Sequence, residues 1–381
     1  MESDNNNDVD LQQTIEMTSN GKSCDFNPGN LEIGKIVGNY EIIDRIAHGG
    51  SATVYLAEHV ELSRTVALKI ISPHLARNDE FVEMFTREAK ASAQLDHPNI
   101  VQTYDAGTID EAPYIAMEFI EGGNLKDYMN VSSEEKISLP KLLSIMRDIA
   151  DALRYGQETL QLTHGDIKPE NILIAFDGTP HLADFGLSET IASKKKDQNN
   201  DTTIMATPIY VAPEIIARRA LPGDPRPDIY SFGCMLFHLI TGEPPFKDSD
   251  VLALVTSHMR AQAPSLVSLV PEICKNLSDL VDEMLKKVPN DRPSSWKEVR
   301  DRLTDIIDEV NSPKLHIVKR HISLVFSFSK TQLQILLLAC AALLIYFHPL
   351  LGPFIVILTL LGNYLAKSIH EPQNWLGIFK E

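Results

Sequence analysis

Apolar and polar residues alternate from about Tyr40 onward, first in YEIIDRIAHGG and then in SATVYLAEHVELSRTVALKII. This period of two, rich in β-branched side chains and broken by Gly-Gly, predicts a twisted antiparallel sheet. Residues 81–95 change to helical spacing without a breaker, and residues 96–123 return to short strands separated by turn signals. The pattern therefore predicts a small unit of several strands with one helix.

Helical spacing dominates after Asn124, which predicts a second and larger unit. A polar loop region at residues 162–188 interrupts the helices, and the polar run 194–203 predicts a mobile loop. A small β-rich lobe followed by a larger helical lobe is an α+β architecture. The predicted helices are 139–160, 228–242, 251–262, 277–288 and 295–310.

The two ends of the chain differ in charge and hydropathy. The first 40 residues are polar and acidic, so we predict a disordered acidic tail over residues 1–39. No Asp, Glu, Lys or Arg occurs in residues 331–366, a longer run than the roughly 20 residues that a membrane-spanning helix needs. Residues 310–330 carry four basic side chains and no acid, which predicts a basic juxtamembrane linker on the cytoplasmic side.

The apolar run is divided by His348-Pro349, and each half is short for a complete span. One kinked, tilted helix and a hairpin of two short helices both fit, with the hairpin favoured; a buried pair of core helices is the other alternative. Residues 367–381 form a short tail in which Trp375 and Phe379 suit a membrane interface. We therefore expect a membrane location with the preceding domain facing the cytoplasm, and no extracytoplasmic sensor domain in the tail.

Charge and cysteine content exclude some classes of partner. The formal net charge is −17, from 35 Lys and Arg against 52 Asp and Glu, which argues against nucleic acid as a partner. The four cysteines are far apart, without the spacing of a zinc site or a disulfide framework, so a reducing compartment fits best.

Three features of the first unit suit phosphate binding when taken together. The glycines of AHGGSATVY let a backbone turn tightly and present N–H groups to phosphate oxygens, although a simple hairpin turn explains them too. Lys69 lies in an otherwise apolar strand, where a buried ammonium needs an anionic partner unless it reaches solvent at an edge. Glu88 in the predicted helix can supply that partner, or can be simply solvated.

Residues 162–188 hold a denser group of polar side chains. Asn171 and Asp184 flank two short apolar runs joined by the turn DGTP, so a hairpin brings two oxygen ligands together in a way that suits Mg²⁺. Asp166 can accept a proton from a hydroxyl group. Taken singly, each of the three can be a cap or a turn residue; their order along the chain, with Lys69 upstream, favours a single chemical site.

In this order the motifs resemble the eukaryotic-type protein kinase family, and its bacterial serine/threonine branch in particular, over about residues 40–305. The resemblance implies a two-lobed protein kinase fold in a domain at 40–309, with ATP and Mg²⁺ as ligands and proteins as substrates. It assigns Ile46, Gly49 and Val54 to the loop over ATP, Lys69 to the α and β phosphates with Glu88 as its helix partner, and the backbones of Glu118 and Ile120 to the adenine edge. It also assigns Asp166 and Lys168 to catalysis, and Asn171 and Asp184 to the metal.

The resemblance also implies contacts and a substrate class. Asp228 should brace the catalytic loop from a buried helix, and Glu214 should pair with Arg292. Lys168 and the segment 206–210 are similar to the serine/threonine branch, so the acceptor is a Ser or Thr hydroxyl. That segment also disfavours a small-molecule acceptor, because in the family it shapes a groove for a peptide.

Two departures from the family pattern change the expectations. Ala47 and Ala52 stand where the first and third glycines of the loop are found, so we expect a stiffer phosphate cover and weaker nucleotide binding. Gly165 replaces the arginine that normally pairs with a phosphate on the activation segment. We therefore expect activity that does not require phosphorylation at Thr202 or Thr203.

The sequence leaves two functional classes. The leading interpretation is a membrane-anchored serine/threonine protein kinase, whose self-association in the bilayer favours trans autophosphorylation. The alternative is a membrane-bound pseudokinase that binds nucleotide and acts as a scaffold, which Ala47, Ala52 and Gly165 support.

Overall fold

The computed structural model describes residues 29–129, 137–185 and 209–312. The acidic stretch up to residue 28, the predicted loop 194–203 and the linker and membrane segment from residue 313 onward lie outside these ranges. Among the described residues, no helix has the length and apolar character needed to cross a membrane.

The first lobe is built on a six-stranded antiparallel sheet, as the alternating pattern predicts. Its strand order is β1-β2-β3-β4-β6-β5, and the core of the lobe includes the buried Tyr55, Leu68 and Ile115. β3 and β4 pair in full register, with Val54 opposite Lys69. The strands are β1 (Ile36–Val37), β2 (Tyr40–His48), β3 (Ala52–His59), β4 (Arg64–Ile71), β5 (Thr103–Ile109) and β6 (Ala112–Glu118).

Residues ahead of β2 belong to this lobe, which corrects the tail predicted for residues 1–39. Ile36–Val37 pairs antiparallel with β2. Leu31 is 9% exposed, and its N–H donates to the hydroxyl of the buried Tyr55 at 3.0 Å. The prediction was wrong for these last residues because acidic residues dominate the stretch as a whole, while Leu31 and Val37 are buried in the core.

The single long helix of this lobe, α1 (Asp79–Ser92), lies two to three residues earlier than the predicted range 81–95. Asn78 caps it by accepting from the Glu80 N–H at 3.0 Å, so the helix begins as soon as that cap permits. At the other end, the N–H of the buried Leu95 bonds at 3.1 Å to the carbonyl three residues back, which makes a tight turn instead of a further helical turn.

The second lobe is mainly helical and carries a small sheet next to the first lobe. The sheet has the order β7-β8-β9, with β7 (Gly122–Asn124), β8 (Ile172–Ala175) and β9 (Pro180–Leu182). The helices are α2 (Leu139–Leu160), α3 (Pro213–Ile216), α4 (Arg226–Thr241), α5 (Val251–Arg260), α6 (Leu266–Leu269), α7 (Lys275–Met284) and α8 (Trp296–Asn311), with single 3₁₀ turns at Asp127–Met129, Pro169–Asn171 and Pro289–Asp291.

Among the predicted helices, the one at 277–288 shows the largest difference in its C-terminal end. The observed helix α7 ends at Met284, four residues earlier than predicted. Arg292 explains the early end: its side chain donates to the carbonyls of Lys286 at 2.7 Å and Lys287 at 3.2 Å, which draws these residues out of the helix. Arg292 also forms a bidentate ion pair with Glu214, with N–O distances of 2.6 and 2.9 Å, in the core of the lobe. The predicted Glu214–Arg292 contact is therefore confirmed, and removing one partner of such a buried pair costs about 3–5 kcal/mol.

Candidate active site

The glycine loop connects β2 to β3 as a tight hairpin at the edge of the first lobe. The Gly49 N–H donates to the Ala52 carbonyl at 3.0 Å, and His48 Nδ1 lies 2.9 Å from the hydroxyl of the buried Thr53. Residues 49–51 are exposed, so the backbone at the tip is open to a ligand. The predicted residues Ile46, Gly49 and Val54 all belong to this hairpin or its flanking strands.

Lys69 stands at the centre of the charged groups between the lobes. Its Nζ lies 2.7 Å from Glu88 on α1 and 2.9 Å from Asp184, which follows β9. Burial alone would lower the pKa of Lys69, but the charges of Asp184 and Glu88 outweigh burial and raise that pKa above its usual value. The raised pKa keeps Lys69 positively charged at neutral pH, and the predicted pairing with Glu88 is present.

The two carboxylates that share Lys69 differ in their tendency to ionise. Burial raises the pKa of Glu88, and the neighbouring charge of Asp184 adds to this effect. Burial would also raise the pKa of Asp184, but Lys69 outweighs it and holds the pKa of Asp184 below its usual value. Asp184 is thus the more firmly charged of the two, as a metal ligand requires.

Asp184 adopts a backbone conformation that is uncommon for a residue with a side chain. Its φ of 59° lies in the left-handed region, which asparagine and aspartate tolerate better than other non-glycine residues. Such conformations cost free energy and persist where the surrounding structure imposes them, often at functional sites. Here the Lys69 ion pair and the strand pairing of β9 hold the carboxylate between the lobes.

The catalytic loop brings Asp166, Lys168 and Asn171 together. Lys168 Nζ forms a close ion pair with Asp166 Oδ2, and Asn171 Nδ2 donates to the Asp166 carbonyl at 2.8 Å. The same amide nitrogen lies 3.3 Å from Asp166 Oδ2. The Asp166 carboxylate is therefore held by two neighbours within its own loop, in the position that the sequence predicts for a proton acceptor.

A buried aspartate on α4 braces this loop, as predicted. Asp228 accepts from the backbone N–H of His164 at 2.6 Å and from that of Gly165 at 2.9 Å. Burial raises the pKa of Asp228 even though these two bonds favour its charged form. Because Asp228 is only 3% exposed, its carboxylate has little access to water, and these two N–H groups supply hydrogen bonds that water would otherwise make.

Sequence reasoning gave no role to His164, Phe185 or Gly156, which pack together beneath the site. His164 Nδ1 accepts from the Asp166 N–H at 3.2 Å, so its Nε2 carries the proton and donates to the Ala183 carbonyl at 3.0 Å. Its ring meets the buried Phe185 edge to face at 5.4 Å. A Cβ on Gly156 would lie 2.1 Å from the Phe185 ring, so this glycine of α2 makes room for the phenylalanine.

The end of β6 and the residues that follow it connect the lobes, and they contain the predicted adenine-binding positions Glu118 and Ile120. The Glu118 N–H already donates to the Gln102 carbonyl at 2.8 Å. An adenine contact at Glu118 must therefore use its carbonyl oxygen. Met117 is partly buried against the core of the first lobe, at the inner end of this segment.

Asn171 and Asp184 fit the pair of oxygen ligands that a divalent cation prefers. The Ala183 N–H donates to the Asn171 carbonyl at 2.9 Å, so the two segments lie side by side. Asn171 uses its amide nitrogen for Asp166, which leaves its side-chain oxygen to face a cation. Hard oxygen ligands completed by phosphate oxygens are what Mg²⁺ prefers.

The structure therefore brings together Lys69, Glu88, Asp166, Lys168, Asn171 and Asp184, and places the glycine hairpin and the Glu118–Ile120 segment in the same domain. Thr202, Thr203 and Thr207, which bear on the predicted independence from phosphorylation, lie outside the described residues.

The chain has clear relatives among bacterial protein kinases. It is 35% identical over 285 residues to the serine/threonine-protein kinase PrkC of Bacillus subtilis, an alignment that covers 74% of this chain and 42% of that protein. It is 32% identical over 298 residues to a probable serine/threonine-protein kinase PknB of Lactococcus lactis, covering 76% of this chain and 46% of that one. The matched region thus spans less than half the length of these curated relatives.

Solved structures and a family profile agree with these relatives. The kinase domain of PknI from Mycobacterium tuberculosis superposes with a TM-score of 0.58 at 27% sequence identity, covering 73% of this chain and 99% of that one. Residues 40–303 match the family described as the protein kinase domain. The two-lobed fold is thereby confirmed, and the chain belongs to the protein kinase domain family.

Proposed function

We propose that this chain is a serine/threonine protein kinase that transfers the γ-phosphate of ATP to Ser or Thr hydroxyls of proteins. The observation that carries the proposal is the pair of ion pairs made by the buried Lys69. Its Nζ lies 2.7 Å from the carboxylate of Glu88 and 2.9 Å from that of Asp184. This contact fixes one cation and one firmly charged carboxylate between the two lobes, where the phosphates of a nucleotide need both.

In the proposed reaction, Asp166 orients the acceptor hydroxyl and takes its proton, while Lys168 neutralises charge on the transferring phosphoryl group. The close ion pair between their side chains, together with the Asn171 amide, positions both groups before a substrate arrives. Most of the rate enhancement then comes from positioning and charge neutralisation.

We propose Mg²⁺ as the metal, held by Asn171 and Asp184. When bound, the ion would supply positive charge that offsets the negative charge of the phosphates and of the leaving group. The oxygen donors of these two side chains match the ligand preference of this ion. The glycine hairpin would cover the phosphates, with Ala47 and Ala52 reducing its freedom to close on them.

The acceptor class follows from the relatives and from two motifs. Both curated relatives are named as serine/threonine-protein kinases, and Lys168 and the segment 206–210 are similar to that branch. Phosphoamino-acid analysis of a generic basic protein phosphorylated by the full chain in detergent tests this assignment. We expect phosphoserine and phosphothreonine; phosphotyrosine as the main product would contradict it.

A catalytically silent scaffold is the second candidate, and Ala47 and Ala52 in the glycine hairpin favour it. Nucleotide binding, followed by the thermal shift of the protein on addition of Mg-ATP, separates the two candidates when combined with a transfer assay. A scaffold shifts in melting temperature without transferring phosphate, whereas the kinase does both.

We propose that activity does not depend on phosphorylation of the activation segment, because Gly165 offers no guanidinium to pair with a phosphate. The double variant Thr202→Ala and Thr203→Ala should keep nearly full turnover. A hundredfold loss of turnover in this double variant would contradict the proposal. Thr207 is left unchanged in this test, since its position resembles a threonine that contacts the catalytic aspartate in the family.

We propose further that residues 331–366 insert into the bilayer with the kinase domain in the cytoplasm, where ATP is available. The uncharged run and its basic flank at 310–330 support this location. Extraction at alkaline pH tests it: the full chain should stay in the membrane fraction, and release by carbonate alone would contradict insertion.

Self-association in the membrane would raise the effective concentration of one copy at another, which favours autophosphorylation in trans. The test mixes an active copy with an Asp166→Asn copy in the same detergent or vesicle preparation. We expect label on the inactive copy; label confined to the active copy would argue against transfer between chains.

A further inference from the structure

Two side-chain hydroxyl groups join the end of α1 to the start of β5. Ser92 is the last residue of α1, and Thr103 is the first residue of β5. The Oγ1 of Thr103 donates to the Oγ of Ser92 at 2.8 Å, and both side chains are partly buried. Residues 93–102 form the connection from the helix to the strand, so this hydrogen bond closes that connection at its two ends.

The Ser92 hydroxyl extends this contact to the backbone of α1. Its Oγ lies 2.9 Å from the carbonyl oxygen of Glu88 and 3.2 Å from that of Ala89. A hydroxyl has one hydrogen to donate, and because Ser92 accepts from Thr103, that hydrogen is directed at these two carbonyls. The hydrogen-bonded chain therefore runs from β5 to the peptide group of Glu88, whose carboxylate pairs with Lys69.

The rest of the inward face of α1 makes apolar contacts. Phe85 and Ala89 belong to the core of the first lobe, and Ser92 follows them at the helical spacing of that face. Apolar contact has no preferred direction, so it does not by itself fix how the helix slides or turns on the sheet. A hydrogen bond prefers a defined distance and angle, so the hydroxyl pair adds a fixed point at the end of this face.

Thr103 also lies next to the strand that leads to the second lobe. Its partner on β6 is Met117, and the pairing of the two strands shifts register between Thr103 and Asp105. Such bulges bend a strand and change the direction of its side chains. Met117 precedes Glu118, at which β6 ends and the connection between the lobes begins. The hydroxyl pair thus ties α1 to the same strands that carry the predicted adenine-binding position.

We propose that Ser92 and Thr103 are positioning residues, whose hydroxyl pair holds α1 where the Glu88 carboxylate meets Lys69. This inference rests on the proposed kinase function, in which Lys69 binds the phosphates of ATP and Glu88 orients Lys69. Neither hydroxyl is assigned a contact with the nucleotide, since both act through the position of the helix. Without the pair, a smaller fraction of the protein has Lys69 oriented for phosphates, which lowers the apparent affinity for ATP.

Ser92→Ala removes the hydroxyl that both bonds share, and Thr86→Ala is its matched control. Thr86 also lies on α1, and its hydroxyl donates to the carbonyl of Val82 at 2.8 Å, but its side chain is exposed. We expect Ser92→Ala to raise the KM for ATP about three- to tenfold, the range that one lost hydrogen bond gives. Its KM for the protein substrate should stay unchanged, and Thr86→Ala should leave both values within about twofold.

Conservative and paired variants separate the hydrogen bond from a change of side-chain volume. Ser92→Thr keeps the hydroxyl and should restore the KM for ATP. Thr103→Val keeps the shape of the side chain without its donor, and should reproduce the defect of Ser92→Ala. The two substitutions combined should be no worse than either alone, because the pair is already broken. Defects that multiply in the double variant would show independent effects and overturn the proposal.

Hydrogen exchange of the α1 backbone amides tests the pair in the full chain without an activity measurement. Exchange should be faster in Ser92→Ala and Thr103→Val than in the unchanged protein and Thr86→Ala. If the unchanged protein transfers phosphate and Ser92→Ala equals Thr86→Ala in KM and exchange, the positioning role is wrong while the kinase function stands. If the unchanged protein transfers no phosphate, the kinase function fails, and equal exchange in all variants would overturn the hold on α1 as well.

Discussion

Asp228 on α4 accepts the backbone N–H of Gly165 at 2.9 Å, and the same carboxylate accepts that of His164 at 2.6 Å. A side chain at the centre of the helical lobe therefore sets the path of the loop that carries Asp166. Both bonds are made by backbone groups, so they depend on the carboxylate and on the local conformation of the loop.

Replacing Asp228 by asparagine should lower both stability and phosphate transfer. The amide offers one acceptor and turns an N–H toward a backbone N–H, which leaves a buried donor without a partner at a cost of about 1–3 kcal/mol. Urea unfolding monitored by fluorescence measures the change. Asp279→Asn, on the exposed side of α7, is the control and should change the unfolding free energy by less than about 0.5 kcal/mol.

Gly165 itself gives a second prediction, because its φ of 77° lies in the left-handed region. Restoring the arginine of the family by Gly165→Arg should destabilise the protein by about 1–2 kcal/mol through the strain that any Cβ meets there. Gly165→Ala is the matched control, with the same strain and no charge. Equal losses of stability in the two variants are expected; no loss in either would contradict the assigned conformation.

The contact between Gly156 and Phe185 predicts that alanine at position 156 destabilises the protein, which is the opposite of the usual effect in a helix. Glycine to alanine inside a helix normally stabilises by about 0.5–1 kcal/mol. Here the added methyl group would overlap the Phe185 ring, so Gly156→Ala should destabilise by about 1–3 kcal/mol and displace the residue next to Asp184. Unfolding and transfer assays both report the change, and a stabilised, fully active variant would refute the close packing.

Much of this arrangement could be predicted from the sequence because it follows from short motifs. The order of Lys69, Glu88, Asp166, Asn171 and Asp184 indicated one site, and the alternating and helical patterns indicated the two lobes. The Asp228 brace and the Glu214–Arg292 pair were likewise expected from the family resemblance. These features depend on residue type and spacing, which the sequence displays directly.

Other features depend on contacts between distant segments, and no local pattern shows them. The ion pair between Lys69 and Asp184 joins residues 115 positions apart. The fit of Phe185 against Gly156 and the positive φ of Asp184 are likewise properties of the folded chain that no local pattern shows. The start of α1 was the exception: Asn78 followed by two acidic residues is a readable N-cap signal, and it was missed.

Asp151 predicts how stability changes in acid. Burial would raise its pKa, but ion pairs with Arg300 and Arg154, each at 2.9 Å, lower it to about 2. Because the folded pKa lies below the unfolded value of 3.8, the stabilisation is fully present above about pH 4. It is lost as the pH falls through about 2.

Asp151→Asn should therefore lower the unfolding free energy by about 1 kcal/mol at pH 7, after allowance for solvent screening. The difference from the unchanged protein should shrink as the pH falls toward 3. Urea unfolding at pH 7, 4 and 3 measures it. A difference that stays constant or grows toward low pH would show that the ion pairs do not hold the carboxylate as described.

Transfer of the γ-phosphate from Mg-ATP tests the central claim most directly. The full chain in detergent is given labelled ATP and a generic basic protein, alongside Asp184→Asn and the control Asp177→Asn in the exposed turn after β8. We predict transfer by the unchanged chain and by Asp177→Asn, and a loss of about a hundredfold or more in Asp184→Asn. Equal label from all three proteins, or none from the unchanged chain while it still binds nucleotide, would contradict the account.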